Sequence, residues 1–251
     1  MKPTFLPALL AAGWLLAAPA RAQHAFQVGP TVGGTLATAH FDDEPDRVTM
    51  PRRGGWLAGA TGVYQSKGHW GGQVAVLYAQ QGYTRHYDGS SSFYSEDRVR
   101  LNYLRVPVQA TFSQHAGGQG QQAFAGPYVG VLLGGNRTYE SGDASSHYET
   151  SSRVVVADSH TQPAYILYDY AAYSFVPDYT GYSRRFDVGL QGGVGYRLGN
   201  ALLQASYTLG LRNLATTTVY DVVPSPFRVA GEPYRTRGWQ ATLTYLLGSR
   251  P

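Results

Sequence analysis

Apolar and polar residues alternate along eight segments of this chain, and Phe186 to Leu198 shows the pattern most fully. Its even positions hold Phe186, Val188, Leu190, Gly192, Val194, Tyr196 and Leu198; its odd positions hold Asp187, Gly189, Gln191, Gly193, Gly195 and Arg197. A strand sends successive side chains to opposite faces, so one face here is apolar and the other polar or bare. Alternation this long exceeds the usual strand of about 5–6 residues. It suits a tilted bilayer crossing, which takes roughly 9–11.

Similar segments precede and follow it. The first, Phe26 to Thr38, sets Phe26, Val28, Val32 and Leu36 against Gln27, Thr31 and Thr35. The third sets Trp70, Val74, Val76 and Tyr78 against Gln73, Ala75, Ala79 and Gln81. The fourth, Val99 to Phe112, sets Leu104, Val106, Val108, Ala110 and Phe112 against Tyr103, Arg105, Gln109 and Thr111. Segments seven and eight repeat the theme around Leu203 to Leu211 and Trp239 to Leu247. The second, Gly54 to Tyr64, is apolar on both faces, and the fifth, Ala123 to Asn136, is rich in glycine; the pattern leaves their facing open.

The links alternate in length. Those after segments one, three, five and seven are long, including polar loops at His40 to Arg53 and Tyr83 to Arg98 and an insertion over 138–183. Those after segments two, four and six are short, and Gly199-Asn200 is a tight turn. Antiparallel strands put odd and even links at opposite ends, which is the transmembrane barrel's arrangement of short periplasmic turns and long external loops. The pattern therefore predicts an all-β fold: an eight-stranded antiparallel up-and-down transmembrane β-barrel spanning 23–251.

A soluble barrel would also alternate, so the two faces decide what solvates it. Gln73, Gln81, Arg105, Gln109, Asp187, Gln191 and Arg197 mark a lumenal polar face with few of the Lys and Glu side chains of a wet surface. Trp56, Trp70, Phe112, Phe124, Phe186, Tyr196, Trp239 and Tyr245 fall near the ends of the apolar faces, as expected of an aromatic girdle at the bilayer interfaces. Eight strands leave an interior that side chains fill. Buried charges there need partners, and Arg105 and Asp187 are expected to form an ion pair.

Composition narrows the picture. The leader 1–22 has Lys2, an apolar run from Phe5 to Ala18 and Ala20-Arg21-Ala22 before the expected cut, the form of a signal peptide. Without Lys2 and Arg21 the balance is 18 basic to 16 acidic side chains, which gives no reason to expect a nucleic acid partner. The absence of cysteine excludes a disulfide framework and a thiolate zinc site.

No histidine falls in a strand core. His86 with Asp88 is the nearest thing to an acid–base pair, without a nucleophile to serve. No catalytic residue, cofactor or metal site is expected. The acids Asp42, Asp43, Glu44 and Asp46 lack EF-hand spacing. The insertion concentrates tyrosine, including Tyr165, Tyr168, Tyr170 and Tyr173. Rings of this kind offer rigid amphipathic contact area to a protein or glycan. Val154-Val155-Val156 and Ala164 to Tyr168 are candidates for a hairpin above the bilayer; the alternative is extension of strands five and six over the mouth.

Three stretches carry a family resemblance. Leu101-Asn102-Tyr103-Leu104-Arg105-Val106-Pro107-Val108, Ala125-Gly126-Pro127-Tyr128-Val129-Gly130 and Phe186 to Tyr196 resemble, in order and spacing, strands of the PorT-like outer-membrane β-barrel family common in Bacteroidota. Arg105 stands where that family usually has Glu. The resemblance implies a small porin-like barrel of the cell outer membrane without a defined activity, some relatives assisting protein secretion. The chain ends without a terminal aromatic, so a signal for the outer-membrane assembly machinery falls on Tyr245 to Leu247.

The expected function is a non-enzymatic outer-membrane barrel with a structural or surface-interaction role through its external loops. Its partners would be membrane lipid, the assembly machinery, and an extracellular protein or glycan. The alternative is a component of a secretion apparatus that binds its partner from the periplasm, through the turn Ser113 to Gln122.

Overall fold

A computed structural model describes residues 26–42, 48–88, 93–143, 145–163, 181–221 and 227–248; the expected leader 1–22 lies outside them. Eight strands form the body: β1 (Phe26–Phe41), β2 (Arg53–Gln65), β3 (Trp70–Asp88), β4 (Tyr94–Ser113), β5 (Gly120–Gly142), β6 (Phe186–Leu198), β7 (Ala201–Gly210) and β8 (Tyr234–Tyr245). Each pairs antiparallel with the next. β8 returns to β1, with Thr244 opposite Thr31 and Trp239 opposite Leu36. Closure leaves no open edge in the bilayer, where an unpaired backbone group would cost several kcal/mol.

Facing is inverted relative to a water-soluble protein. On β7, Leu203 is 58% exposed while the next residue, Gln204, is 8% exposed. Val32, Leu36, Val76, Val108, Leu190 and Leu243 lie on the outside; Thr31, Thr61, Gln109, Gln191, Gln240 and Thr244 are buried inside. Lipid solvates the first set, and the second must satisfy one another.

The open facings are now fixed. On β2, Trp56 and Tyr64 point outward, and Leu57 and Val63 are buried. On β5, Ala123, Ala125, Val129 and Leu133 form the outer face, with Gln122, Phe124, Tyr128 and Leu132 inside. The expectation that Phe124 belongs to the girdle is therefore corrected: it is 5% exposed and lies in the lumen. A Cβ built on Gly193 would come within 2.8 Å of its ring, so this glycine leaves the space that the ring fills.

The loop expected at Tyr83 to Arg98 is mostly strand. β3 and β4 continue to Asp88 and Tyr94, with Thr84 opposite Arg98, Arg85 opposite Asp97 and His86 opposite Glu96. Polar residues read as loop, yet here they continue the same alternation above the membrane. The insertion also contributes strand. His147–Val156 folds back antiparallel on the top of β5, with Val154 opposite Gly135. Residues 164–168, the other half of the hairpin considered from sequence, lie outside the described residues. Ser159–Pro163, Thr217–Asp221 and Phe227–Ala230 form a separate three-stranded sheet from the insertion and the last external loop.

Candidate functional site at the extracellular mouth

The lumen is filled from the periplasmic end upward. Arg197, 1% exposed, donates from Nη2 to Gln27 and from Nε to the Gly199 carbonyl at 3.1 Å. Above it Gln204 donates to Gln73 at 3.0 Å, and Gln73 donates in turn to Gln109. Gln191 donates to Ser206 at 2.8 Å and to Gln240 at 3.3 Å. Thr31 bridges Thr61 and Thr244 at 2.6 and 2.8 Å. A cavity of about 20 Å³ remains among these groups, about enough for a single water. Gln81 is buried nearer the mouth.

Arg105 and Asp187 meet differently from expectation. Both flank Gly130, one on each neighbouring strand. They make no direct ion pair; Tyr128 stands between them. The Arg105 guanidinium lies 3.9 Å from the centroid of the Tyr128 ring. The hydroxyl of the same tyrosine donates to Asp187 Oδ2 at 3.2 Å, as does Thr236 at 2.8 Å. Among the described residues, neither Nη of Arg105, nor Asp187 Oδ1, nor the Tyr103 hydroxyl has a hydrogen-bonding partner. The reason is geometric. Arg105 is long enough to reach past Gly130 onto the ring, and a flat guanidinium gains there both stacking and the quadrupole of the aromatic face.

Above this plug the extended strands enclose a recess of about 210 Å³. Phe41, Tyr83 and Tyr234 form an aromatic cluster, Phe41 stacking on Tyr234 at 5.4 Å and meeting the Tyr83 edge at 5.6 Å. Burial raises the Tyr83 phenol well above its usual value and pushes Tyr234 up to about 12. Both therefore stay neutral at physiological pH, and Tyr234 donates to Ser183 at 2.9 Å. Charged pairs frame the rings. Arg137 grips Asp97 through two bonds of 2.9 and 2.8 Å, and Arg85 reaches Glu232 at 2.8 Å while lying 5.1 Å from the Phe41 centroid. Tyr182, stacked on His160 with centroids 3.6 Å apart, lines the same space.

Trp56, Trp70, Phe112, Phe186, Tyr196, Trp239 and Tyr245 all lie exposed on the outer face. Trp70 meets the edge of Phe112 at 5.2 Å, and Trp56 lies 4.9 Å from Tyr78. Tyr165, Tyr168, Tyr170 and Tyr173 lie outside the described residues, as do Asp43, Glu44 and Asp46. His86 faces Glu96 at 3.8 Å on the outer side of the extended strands. Sequence reasoning passed over Tyr83, Asp97, Arg137 and Tyr234. Tyr83, Asp97 and Tyr234 continue the inward-facing positions of β3, β4 and β8 beyond the apolar stretch, whereas Arg137 turns inward only because an extra residue near Leu133 shifts the alternation of β5.

A search of curated proteins found no match. Among solved structures, the chain is similar to Ail, the attachment invasion locus protein of Yersinia pestis, at 10% identity, covering 89% of this chain and 99% of that one with a TM-score of 0.40. It is also similar to the outer membrane protein OprG from Pseudomonas aeruginosa, at 10% identity over 90% of this chain and 98% of that one, TM-score 0.38. Neisserial surface protein A shares 12% identity over 88% of this chain and 96% of that one, TM-score 0.36. The model of the outer membrane protein beta-barrel domain family matches residues 18–216, and with a closed barrel whose apolar face is outward, the chain belongs to this family and resides in the cell outer membrane.

Proposed function

We propose that the chain is a non-enzymatic surface-contact protein of the outer membrane, and that the mouth recess engages the end of an extracellular glycan. The observation that carries this reading is the pairing of a filled lumen with an open, aromatic and charge-framed recess directly above it. Its volume, about 210 Å³, is below the roughly 300–1,000 Å³ of sites for drug-sized ligands, and suits one terminal sugar ring. Tyr and Phe faces offer apolar contact to such a ring, and the Arg–Asp and Arg–Glu pairs offer oriented donors and acceptors to its hydroxyls. Tyr165, Tyr168, Tyr170 and Tyr173 are further contact residues in this reading.

The PorT-like strands support placing the chain in that narrower, Bacteroidota-type group, and the closing strand at Tyr245 supports recognition by the assembly machinery. The periplasmic turn spends its polar groups internally: Gln122 donates to Gly118 at 2.7 Å, and the Gln119 side chain accepts from the Gly199 amide at 3.0 Å. No observation favours the secretion alternative.

Refolded protein applied to an array of surface glycans tests the proposal. Saturable binding that weakens at least tenfold in Glu232→Gln and Tyr182→Ala is expected. Absence of binding, or binding indifferent to both changes, would overturn it. Capture of a deglycosylated protein at the same recess would shift the partner to a polypeptide.

A further inference from the structure

Above the outer girdle, the lipid-facing side of β2 to β5 carries arginines rather than the mixed charges of the mouth. Arg100 on β4 is opposite Asn136 on β5, and Asn136 is opposite Arg153 on the returning strand. The two arginines are thus one strand apart on a common row, with their backbones about 10 Å apart at the usual strand spacing. Both are exposed. Arg53 joins them from the other side. Its charged neighbours are Arg100, Arg98 and Glu96, all on the outer face, and burial together with Arg100 lowers its pKa. Its Nη1 is buried without a hydrogen-bonding partner.

Neighbouring charges do not neutralise this row. Glu96 and Glu140 lie farther from the membrane and are both engaged by Arg98, the second at 3.2 Å. Arg53, Arg100 and Arg153 have no ion pair among the described residues. Elsewhere on the rim, Arg235 is paired with Asp42 at 2.6 Å and Arg85 with Glu232 at 2.8 Å. Three like charges held together on one row repel unless an anion lies between them.

Their height identifies the anion's source. Val155, two residues below Arg153, is exposed on the outer face, and so are Leu104 below Arg100 and Trp56 below Arg53. Two to four residues of strand is roughly 7–13 Å. That places the guanidinium groups in the headgroup layer that flanks the roughly 30 Å hydrocarbon core.

We infer that Arg53, Arg100 and Arg153 form a site for the phosphate of an anionic lipid in the outer leaflet, a role separate from the mouth recess. Arginine suits it because a planar guanidinium binds phosphate oxygens through two parallel bonds. The acyl chains of the same lipid would run down the outer face past Leu104, Leu133 and Val155.

The test uses full-length processed protein in nanodiscs of phosphatidylcholine with a minor share of phosphatidic acid, retained lipid being counted by native mass spectrometry. Wild type should retain phosphatidic acid in preference to phosphatidylcholine. The triple change R53Q/R100Q/R153Q should weaken retention by on the order of 100-fold, at about fivefold per arginine. The Lys-substituted triple should keep part of it, and Lys67→Gln on a periplasmic turn should keep all of it. Heat-modifiability on a gel confirms that each variant is folded. Equal retention by wild type and the Gln triple would overturn the inference. So would stabilisation of the wild type in neutral nanodiscs by inorganic phosphate to the same extent as by the lipid, since the site would then bind a free ion.

Discussion

Replacing Asp187 by Asn probes the central plug, because it removes a charge and leaves the shape. The side chain is 1% exposed and Arg105 is 3% exposed, so neither charge is compensated by water. A Cβ on Gly130 would be 3.5 Å from Asp187 Cβ and 3.6 Å from Arg105 Cγ, which puts the two side chains on either side of one missing group. With charges about 7 Å apart and an effective dielectric of about 20, their attraction is about 2 kcal/mol. Asn keeps an acceptor for Thr236 and Tyr128, so the bonds weaken without disappearing, adding up to about 1 kcal/mol. Asp187→Asn should therefore lower stability by about 2–3 kcal/mol.

The double change Arg105→Gln with Asp187→Asn separates the two contributions. Urea unfolding in lipid vesicles, run on wild type, both single variants and the double, should give a coupling of about 2 kcal/mol. A coupling under about 0.5 kcal/mol, the range seen for independent sites, would refute the idea that Tyr128 joins these charges into one unit. Arg105→Glu sharpens the test. It places a second carboxylate beside Asp187 and should be the most destabilising of the set.

Three further outcomes follow from particular side chains. Phe124→Ala should cost about 3–5 kcal/mol as a core truncation, measured by the same unfolding assay, whereas Phe112→Ala, half exposed to lipid, should cost clearly less; equal costs would contradict the inward facing of Phe124. Gly193→Ala should cost about 1–3 kcal/mol by overpacking, since its Cβ would fall 2.2 Å from the Ala205 carbonyl and 2.8 Å from Phe124; a neutral result would show that the strands can move apart there. Asp143 accepts from the Ser145 and Ser146 amides and hydroxyls, which hold its carboxyl at about 2. A lowered value means that the turn's stabilisation is complete above the ordinary carboxylate range and is lost as pH falls through about 2. Carboxyl NMR should find that titration point, and hydrogen exchange at residues 142–147 should rise below it; titration near 4 would refute the turn.

The barrel was legible because lipid and lumen impose opposite demands on neighbouring residues, and β6 writes both in full. Segments where glycine or apolar residues occupy both faces lose that contrast. On β5, Phe124 looked like a girdle residue because it is aromatic and near a strand end; only the pairing of Gly193 with it reveals the packing. The mouth was the least legible part. Thr84, Arg85, Asp97 and Arg98 carry the polarity of a loop, and nothing local says that they pair across two strands. Tyr83 and Tyr234 are far apart in sequence, and only closure of β8 on β1 brings them to the same wall.

That extension above the bilayer also explains why charge is tolerated where it is. Strands β3, β4 and β5 run to 19, 20 and 23 residues, about twice the roughly 9–11 needed to cross. An Arg at the lipid midplane would cost roughly 2–4 kcal/mol, falling toward zero at the interface, so the bilayer edge on this wall must lie below Gly82, Arg100 and Asn136. Just beneath them are Tyr78, Leu104 and Leu133, the last two exposed to lipid. The same boundary assigns two roles to two faces of one sheet. Inward positions above it, such as Arg137 and Asp97, are shielded enough to pair and shape a recess. Outward positions at the same height meet headgroups, where unpaired arginine is an asset and an acidic residue would repel the surface. The acids on the outer face, Glu96, Glu140 and Glu149, accordingly begin only farther out.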